Sequence, residues 1–215
     1  MHATRAAVFD FNGTLSRDEP ILCDVYRELF GARGRPLSAA DYYERLAGLS
    51  DDAIIRTWLG VDGEALAALV EERIDRYLER SGDGSTVAPA VREAVAYAAE
   101  RVPVAVVSGA FRREIEPVLR GAGLDRHVAV LVAAEDVEHG KPDPAGYVRA
   151  LELLGAGLRP SDAVAFEDTE AGVASAKAAG LRCVAVLGTH PPDRLRGADE
   201  IVAAIDVGLL RRLLG

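Results

Sequence analysis

From about Pro89 onward, short unbroken apolar runs alternate with longer stretches of helical spacing. The runs are Val102–Val107, Val128–Ala133, Ala163–Phe166 and Cys183–Leu187, with a weaker one at Ile201–Val202. Apolar runs of this length predict strands buried on both faces of a parallel sheet, because crossover helices cover both sides. The stretches between them carry helix punctuation. One helix is predicted from Arg112 to Arg120, stopping at Gly121. Another opens with Asp143 as N-cap and Pro144 as first helical residue, and a third covers Thr169–Ala179 and stops at Gly180. Repeated strand–helix units predict a doubly wound α/β domain.

Ser16 to Gly84 reads differently. Here no strand is evident, and Ile21, Leu22, Val25, Tyr26, Leu29 and Phe30 form one helical stripe. Leu66, Leu69, Val70, Ile74, Tyr77 and Leu78 form a second. Ser38 with Asp41 resembles a capping box, and Ser50 reads as another N-cap. Arg17-Asp18-Glu19-Pro20 and Ser81-Gly82-Asp83-Gly84-Ser85 read as linkers. The predicted organisation is therefore an α/β core of residues 1–16 and 85–215, interrupted by an all-helical segment of residues 17–84.

Composition narrows the function classes. At 215 residues, 49% hydrophobic and 27% charged, the chain reads as an ordinary globular protein. A net charge of −9 argues against nucleic acid as partner. Small anionic substrates stay open if a metal and local cations reverse the sign within a cleft. No apolar stretch is long enough to span a bilayer, and the N-terminus runs straight into a strand, which predicts no signal peptide. Cys23 and Cys183 lie far apart and outside any metal-ligand spacing, so they read as buried thiols in a cytoplasmic protein.

Chemistry enters where the apolar runs end. The first run, Ala7-Val8-Phe9, ends in Asp10-Phe11-Asn12-Gly13-Thr14-Leu15, a carboxylate followed by a bend and a hydroxyl. Ser108-Gly109 ends the second, Gly140-Lys141-Pro142 follows the third, and Glu167-Asp168 ends the fourth. Each has an ordinary reading alone: a turn at Gly13-Thr14 or Ser108-Gly109, a solvated lysine at 141, a helix cap at Asp168. Ligands of open α/β sheets bind beyond the carboxyl ends of the strands, so the succession points to one cleft. His2, His127, His139 and His190 show no metal spacing and receive no role.

These segments, with Val107-Ser108-Gly109, Gly140-Lys141-Pro142-Asp143-Pro144 and Phe166-Glu167-Asp168-Thr169-Glu170-Ala171-Gly172, closely resemble the four motifs of the haloacid dehalogenase-like superfamily. The helical insertion resembles the cap of its phosphoglycolate phosphatase and β-phosphoglucomutase branch. The resemblance implies a sheet order of 3-2-1-4-5. It also implies a Mg²⁺-dependent phosphatase acting on a small phosphorylated metabolite, as a monomer or weak dimer. Asp10 would attack phosphorus and form an aspartyl-phosphate. Asp10, the backbone carbonyl of Asn12 and Asp168 would hold the metal, with Glu167 as an outer or occasional ligand. Ser108, Gly109, Thr14 and Lys141 would bind the phosphoryl group. Dehalogenases lack the Glu-Asp pair, and phosphonatases need a cap lysine that residues 16–84 do not contain.

Asn12 departs from the family pattern, in which the residue two after the nucleophile is an acid that protonates the leaving oxygen. An amide cannot exchange a proton at neutral pH. Three readings follow: a phosphatase that recruits another acid, with Asp18 or Glu19 nearest; a substitution made to trap a complex; or a catalytically impaired protein that binds a phosphorylated ligand or a protein partner. A sugar-phosphate mutase is disfavoured, because the reading loop Arg45–Asp52 carries Ala47 and Asp51 where positive charge would be needed. Arg45 and Arg56 are the candidate substrate contacts of the cap, and Trp58 is expected to pack inside it.

Overall fold

Six parallel strands form one sheet in the computed structural model, which describes residues 4–155 and 157–215. They are β1 (Ala6–Phe9), β2 (Val104–Val107), β3 (Val130–Val132), β4 (Ala163–Glu167), β5 (Arg182–Val186) and β6 (Glu200–Val202). The order is β3-β2-β1-β4-β5-β6. The expected 3-2-1-4-5 arrangement is present, and the weak run at Ile201–Val202 adds a sixth strand beside β5. Phe9 pairs with Val106 on one side and Phe166 on the other. That register brings the carboxyl ends of β1, β2 and β4 to one level, which sets Asp10, Ser108 and Glu167 side by side.

Alternation along β1 explains the two layers of helices. Ala7 and Phe9 face one core, shared with α5 (Pro89–Ala99), α6 (Arg112–Gly121) and α9 (Val207–Leu214). Ala6 and Val8 face the other, shared with α7 (Ala145–Leu154) and α8 (Glu170–Ala178). All four β1 side chains are buried, as a central strand of a doubly covered sheet requires. Helix α7 begins later than the dipeptide Asp143-Pro144 suggests. Pro144 is the N-cap, and Asp143 stands one residue further out, where its Oδ1 accepts the Ala145 N–H at 2.9 Å. An Asx turn has won over a conventional cap.

Between β1 and α5 lie four helices: α1 (Glu19–Gly31), α2 (Ala39–Arg45), α3 (Asp51–Leu59) and α4 (Gly63–Ser81). Ser38 and Ser50 accept the Asp41 and Ala53 amides and so cap α2 and α3. The apolar stripes of α1 and α4 meet, burying Tyr26, Leu29 and Phe30 with Leu66, Leu69 and Val70. The two connections to the sheet run together, since Ser16 Oγ donates to Thr86 Oγ1 (2.7 Å) and Arg17 N–H donates to the Thr86 carbonyl. Trp58 is half-buried, stacked against Phe30 and beneath the Arg45 guanidinium.

Candidate active site

Where β1 ends, the chain turns and Asp10 is left at the strand tip, 7% exposed, its amide bonded to the Phe166 carbonyl. Lys141, from the loop after β3, reaches across the strand ends. Its Nζ lies 2.5 Å from Asp10 Oδ1, 2.6 Å from Glu167 Oε1 and 3.1 Å from the Val107 carbonyl. Burial works against the lysine charge, yet the attraction of Asp10 and Glu167 lifts its pKa above the ordinary lysine range. Tyr147 donates its hydroxyl to the same Glu167 oxygen at 2.6 Å. Ser108 is buried, with its Oγ accepting the Ala110 N–H at 3.1 Å. A cavity of about 540 Å³ opens above these groups, bounded below by Asp10, Asn12, Ser108, Gly109, Lys141 and Asp168.

The floor has more buried negative charge than it can neutralise. Asp10, Glu167 and Asp168 offer carboxylate oxygens within 4.8 Å of one another. Lys141 serves Asp10 and Glu167 but not Asp168. Among the described residues, Asp168 Oδ2 and Glu167 Oε2 are buried without a hydrogen-bond partner. Burial, reinforced by repulsion from Asp10 and Glu167, pushes the Asp168 carboxyl far above its usual range. For Glu167, burial outweighs the pull of Lys141 and lifts the group to about 7. A divalent cation with a preference for hard oxygen donors fits this set, because it supplies the missing charge and the missing partners. Two glycines admit the carboxylates. Gly13 has φ +78, and a Cβ there would collide with Asp168 Oδ2, while a Cβ at Gly172 would collide with Glu167. Thr14 donates to Asp168 Oδ1 at 3.2 Å and does not border the cavity. Its hydroxyl, expected to bind a phosphoryl group, positions a carboxylate instead of facing the cavity.

Asn12 and the two nearby acids form a second group. The Asn12 Nδ2 donates to Asp18 Oδ2 at 3.0 Å, the Gly13 N–H to Oδ1 at 3.3 Å, and the Tyr77 hydroxyl to Oδ2 at 2.5 Å. Asp18 is completely buried, and burial pushes it up to about 6 against the pull of those bonds. Glu19, the first residue of α1, does reach the cavity. The Tyr42 hydroxyl donates to its Oε1 at 2.9 Å. Burial raises it to about 7, with the Tyr42 bond lowering it and the charges of Asp18 and Asp10 raising it further.

Over the cavity, Arg73 of α4 is 1% exposed and lies between two carboxylates. One is Glu114 at the start of α6, held by two guanidinium nitrogens; the other is Asp51 at the start of α3, which also accepts the Tyr26 hydroxyl. Glu114 additionally accepts the Phe111 N–H at 2.8 Å, so the same carboxylate caps α6. On the outer side of that contact, Arg113 pairs with Glu71 and Asp75. Arg56 borders the cavity but is paired with Asp52 (3.3 Å) and Asp62 (3.1 Å). Arg45 does not border it. That side chain lies over Trp58, 5.3 Å from the ring centre, with Asp41 at 3.6 Å.

Residues 4–180 match the family model of the haloacid dehalogenase-like hydrolases. The chain belongs to that family. It is 31% identical to validoxylamine A 7'-phosphate phosphatase of Streptomyces hygroscopicus subsp. limoneus, over 92% of each chain. It is 32% identical to phosphoglycolate phosphatase of Pectobacterium atrosepticum, over 85% of this chain and 80% of that one. The crystal structure of CbbY from Rhodobacter sphaeroides in complex with phosphate superposes with a TM-score of 0.84 at 26% identity, covering 94% and 95% of the two chains.

As a haloacid dehalogenase-like hydrolase, the chain brings Asp10, Asn12, Ser108, Gly109, Lys141 and Asp168 to one cavity floor, with Glu167 beneath them. Sequence reasoning missed the buried Arg73–Glu114 pair above them. A signal existed: Arg73 stands among Leu66, Leu69, Val70, Ile74 and Tyr77, and Glu114 precedes Ile115, Val118 and Leu119 on the buried face of α6. A charged residue on a buried stripe is almost never fully buried unless it is paired, so each of these two calls for a partner. His190 was also passed over. It is 5% exposed, and its Nδ1 accepts the Glu170 N–H at 3.1 Å, which satisfies an orphan donor at the start of α8.

Proposed function

We propose that the chain is a Mg²⁺-dependent phosphatase that hydrolyses a small phosphomonoester through an aspartyl-phosphate on Asp10. The observation that carries this reading is the strand-tip carboxylate Asp10, ion-paired to Lys141 and set beside acids with unpartnered buried oxygens. Names among the relatives, including a phosphorylated carbohydrates phosphatase of Thermotoga maritima (30% identical), support a sugar-like phosphate as the substrate class. Residues 17–84 act as a cap on a core made of residues 1–16 and 85–215. Among the described residues no helix is long and apolar enough to cross a membrane, and both cysteines are free and buried, which supports a cytoplasmic setting.

Asp10 and Asp168, the Asn12 carbonyl and, more remotely, Glu167 would hold the cation. When bound, it supplies the positive charge that lets a carboxylate approach a phosphate dianion. Lys141 orients Asp10 and offsets charge on the phosphoryl oxygens. Ser108 is placed to donate its hydroxyl to one of those oxygens once its own acceptor role toward Ala110 is met. Thr14 fixes Asp168 from behind. The cap excludes water and selects the leaving group.

The test is hydrolysis of p-nitrophenyl phosphate with Mg²⁺ and with chelator, native chain against Asp10→Asn. Turnover that needs both the cation and Asp10, together with acyl-phosphate trapped on Asp10, is expected. Turnover surviving Asp10→Asn overturns the mechanism. A second reading, a binder of phosphorylated ligands without turnover, draws on one observation: the amide of Asn12 is fixed onto Asp18 and is no acid at neutral pH. Phosphate-dependent thermal stabilisation without hydrolysis would be its signature.

A further inference from the structure

Resting on the phosphatase reading above, we infer that Glu19 is the catalytic residue that exchanges the proton in place of Asn12, with Tyr42 as its positioning residue. Elimination over the cavity wall supports the choice. Asp18, the nearer candidate, is completely buried and already accepts from Asn12, Gly13 and Tyr77, so it has no route to the substrate. Asp51 and Glu114 are both bound to Arg73, and Asp52 is paired with Arg56. Glu135 accepts the Arg112 N–H, Asp143 accepts the Ala145 N–H, and Glu138 is exposed to solvent. Among the described residues, Glu19 is the cavity-lining acid beyond the floor that is buried and has no cation partner. One of its oxygens is held by the Tyr42 hydroxyl, and Glu19, 9% exposed, lines the same cavity as Asp10. Burial raises the group to about 7, so both protonation states are populated near neutrality, as an acid that must later act as a base requires.

The steps balance without any further reactant. In the first, an Asp10 oxygen bonds to phosphorus as the bond to the substrate oxygen breaks, and the Glu19 proton passes to that leaving oxygen. In the second, the Glu19 carboxylate takes a proton from water as the water oxygen bonds to phosphorus. The Asp10–phosphorus bond breaks, inorganic phosphate leaves, and Glu19 is again protonated. An oxygen that leaves as p-nitrophenolate needs no proton, so only the second step should suffer with that substrate.

The experiment compares the native chain, Glu19→Gln and the double variant Glu19→Gln/Asn12→Asp, with Mg²⁺, on glycerol 2-phosphate and p-nitrophenyl phosphate. Glu19→Gln is expected to lose roughly 10²–10⁴ in kcat/KM on glycerol 2-phosphate. On p-nitrophenyl phosphate it should release one nitrophenolate per active site in a burst and then stall. Adding Asn12→Asp should restore glycerol 2-phosphate turnover, which a merely structural role for Glu19 would not permit. Glu19→Gln that keeps native turnover within about threefold overturns the inference, as does a folded double variant that stays inactive. If Glu19→Gln does not fold, Tyr42→Phe decides. Removing that donor should move the alkaline limb of kcat/KM on glycerol 2-phosphate to higher pH, and an unmoved limb in the folded variant overturns the inference. A native chain that hydrolyses neither substrate removes the phosphatase reading itself, whereas native turnover with an indifferent Glu19→Gln removes the inference alone.

Discussion

The floor and the roof of the cavity handle charge in opposite ways. On the floor, Asp10, Glu167 and Asp168 crowd together around Lys141, and two buried carboxylate oxygens have no hydrogen-bond partner among the described residues. In the roof, Arg73 lies between Asp51 and Glu114, and Arg56 lies between Asp52 and Asp62, so each arginine is matched locally. The floor is electrostatically incomplete, as a site must be if it is to take up a cation and a phosphoryl group. The roof is complete before any ligand arrives. Its buried pair ties α4 to the start of α6 and so holds that helix over the cavity. Loose charge marks chemistry here, and satisfied charge marks architecture.

Neutralising one cation in each region is the widest test of that contrast. Lys141→Met should lower kcat on p-nitrophenyl phosphate by 10²–10³ or more, the scale of losing a preorganised charge at a transition state. Its thermal stability should recover on adding Mg²⁺, because the cation meets the same carboxylates. Arg73→Met should cost about 3–5 kcal/mol, the scale for removing one partner of a buried ion pair. Among the described residues Glu114 and Asp51 are then left with no counter-charge, and a cation taken up at the floor would not supply one. Denaturant unfolding of both variants, with and without Mg²⁺, separates the two cases. Equal rescue by Mg²⁺ would break the distinction between floor and roof.

The same contrast governs what could be read before the structure. The floor was legible because its residues are tied to strand ends, where an apolar run followed by Asp10, Ser108-Gly109 or Glu167-Asp168 leaves little choice of position. Sheet order came with the family resemblance that those motifs carry, and the strands follow it. Thr14 was misdirected, since the sequence shows a hydroxyl after the nucleophile but not that it bonds to a carboxylate more than 150 residues away. The roof was barely legible. Arg45 and Arg56 drew attention as charges near a loop, yet the first stacks on Trp58 and the second is paired on both sides. Arg73, the buried one, was hidden within an apolar stripe. Partner choice among charges on helices depends on tertiary packing, and one helix's periodicity does not contain it.

Glu19 sits between the two regions and gives the contrast a pH dependence. Its folded value is about 7, raised chiefly by burial from the usual 4.5. A carboxyl raised in this way contributes stability that is fully present below its unfolded pKa and is lost as pH rises through the folded one. Metal-free protein should therefore lose up to roughly 3 kcal/mol between about pH 4.5 and 7 from this group alone. Glu19→Gln should flatten that part of the profile in urea unfolding. An unchanged slope would mean that the carboxyl is ionised throughout and that its burial is relieved in solution.

The smallest effect is expected at Arg56, and its smallness is informative. The side chain is 47% exposed, and both its partners, Asp52 and Asp62, lie toward solvent. Exposed pairs of this kind contribute about 0–1 kcal/mol, so Arg56→Ala should leave unfolding nearly unchanged. If the roof's cations are already matched, a second anion on the substrate gains nothing from Arg56. The ratio of kcat/KM for a sugar monophosphate over the corresponding bisphosphate should then be the same in Arg56→Ala as in the native chain, within about twofold. A native preference for the bisphosphate that disappears with Arg56→Ala would show that a ligand draws this arginine away from its acids. The roof would then hold a cation in reserve, and the difference from the floor would be one of degree.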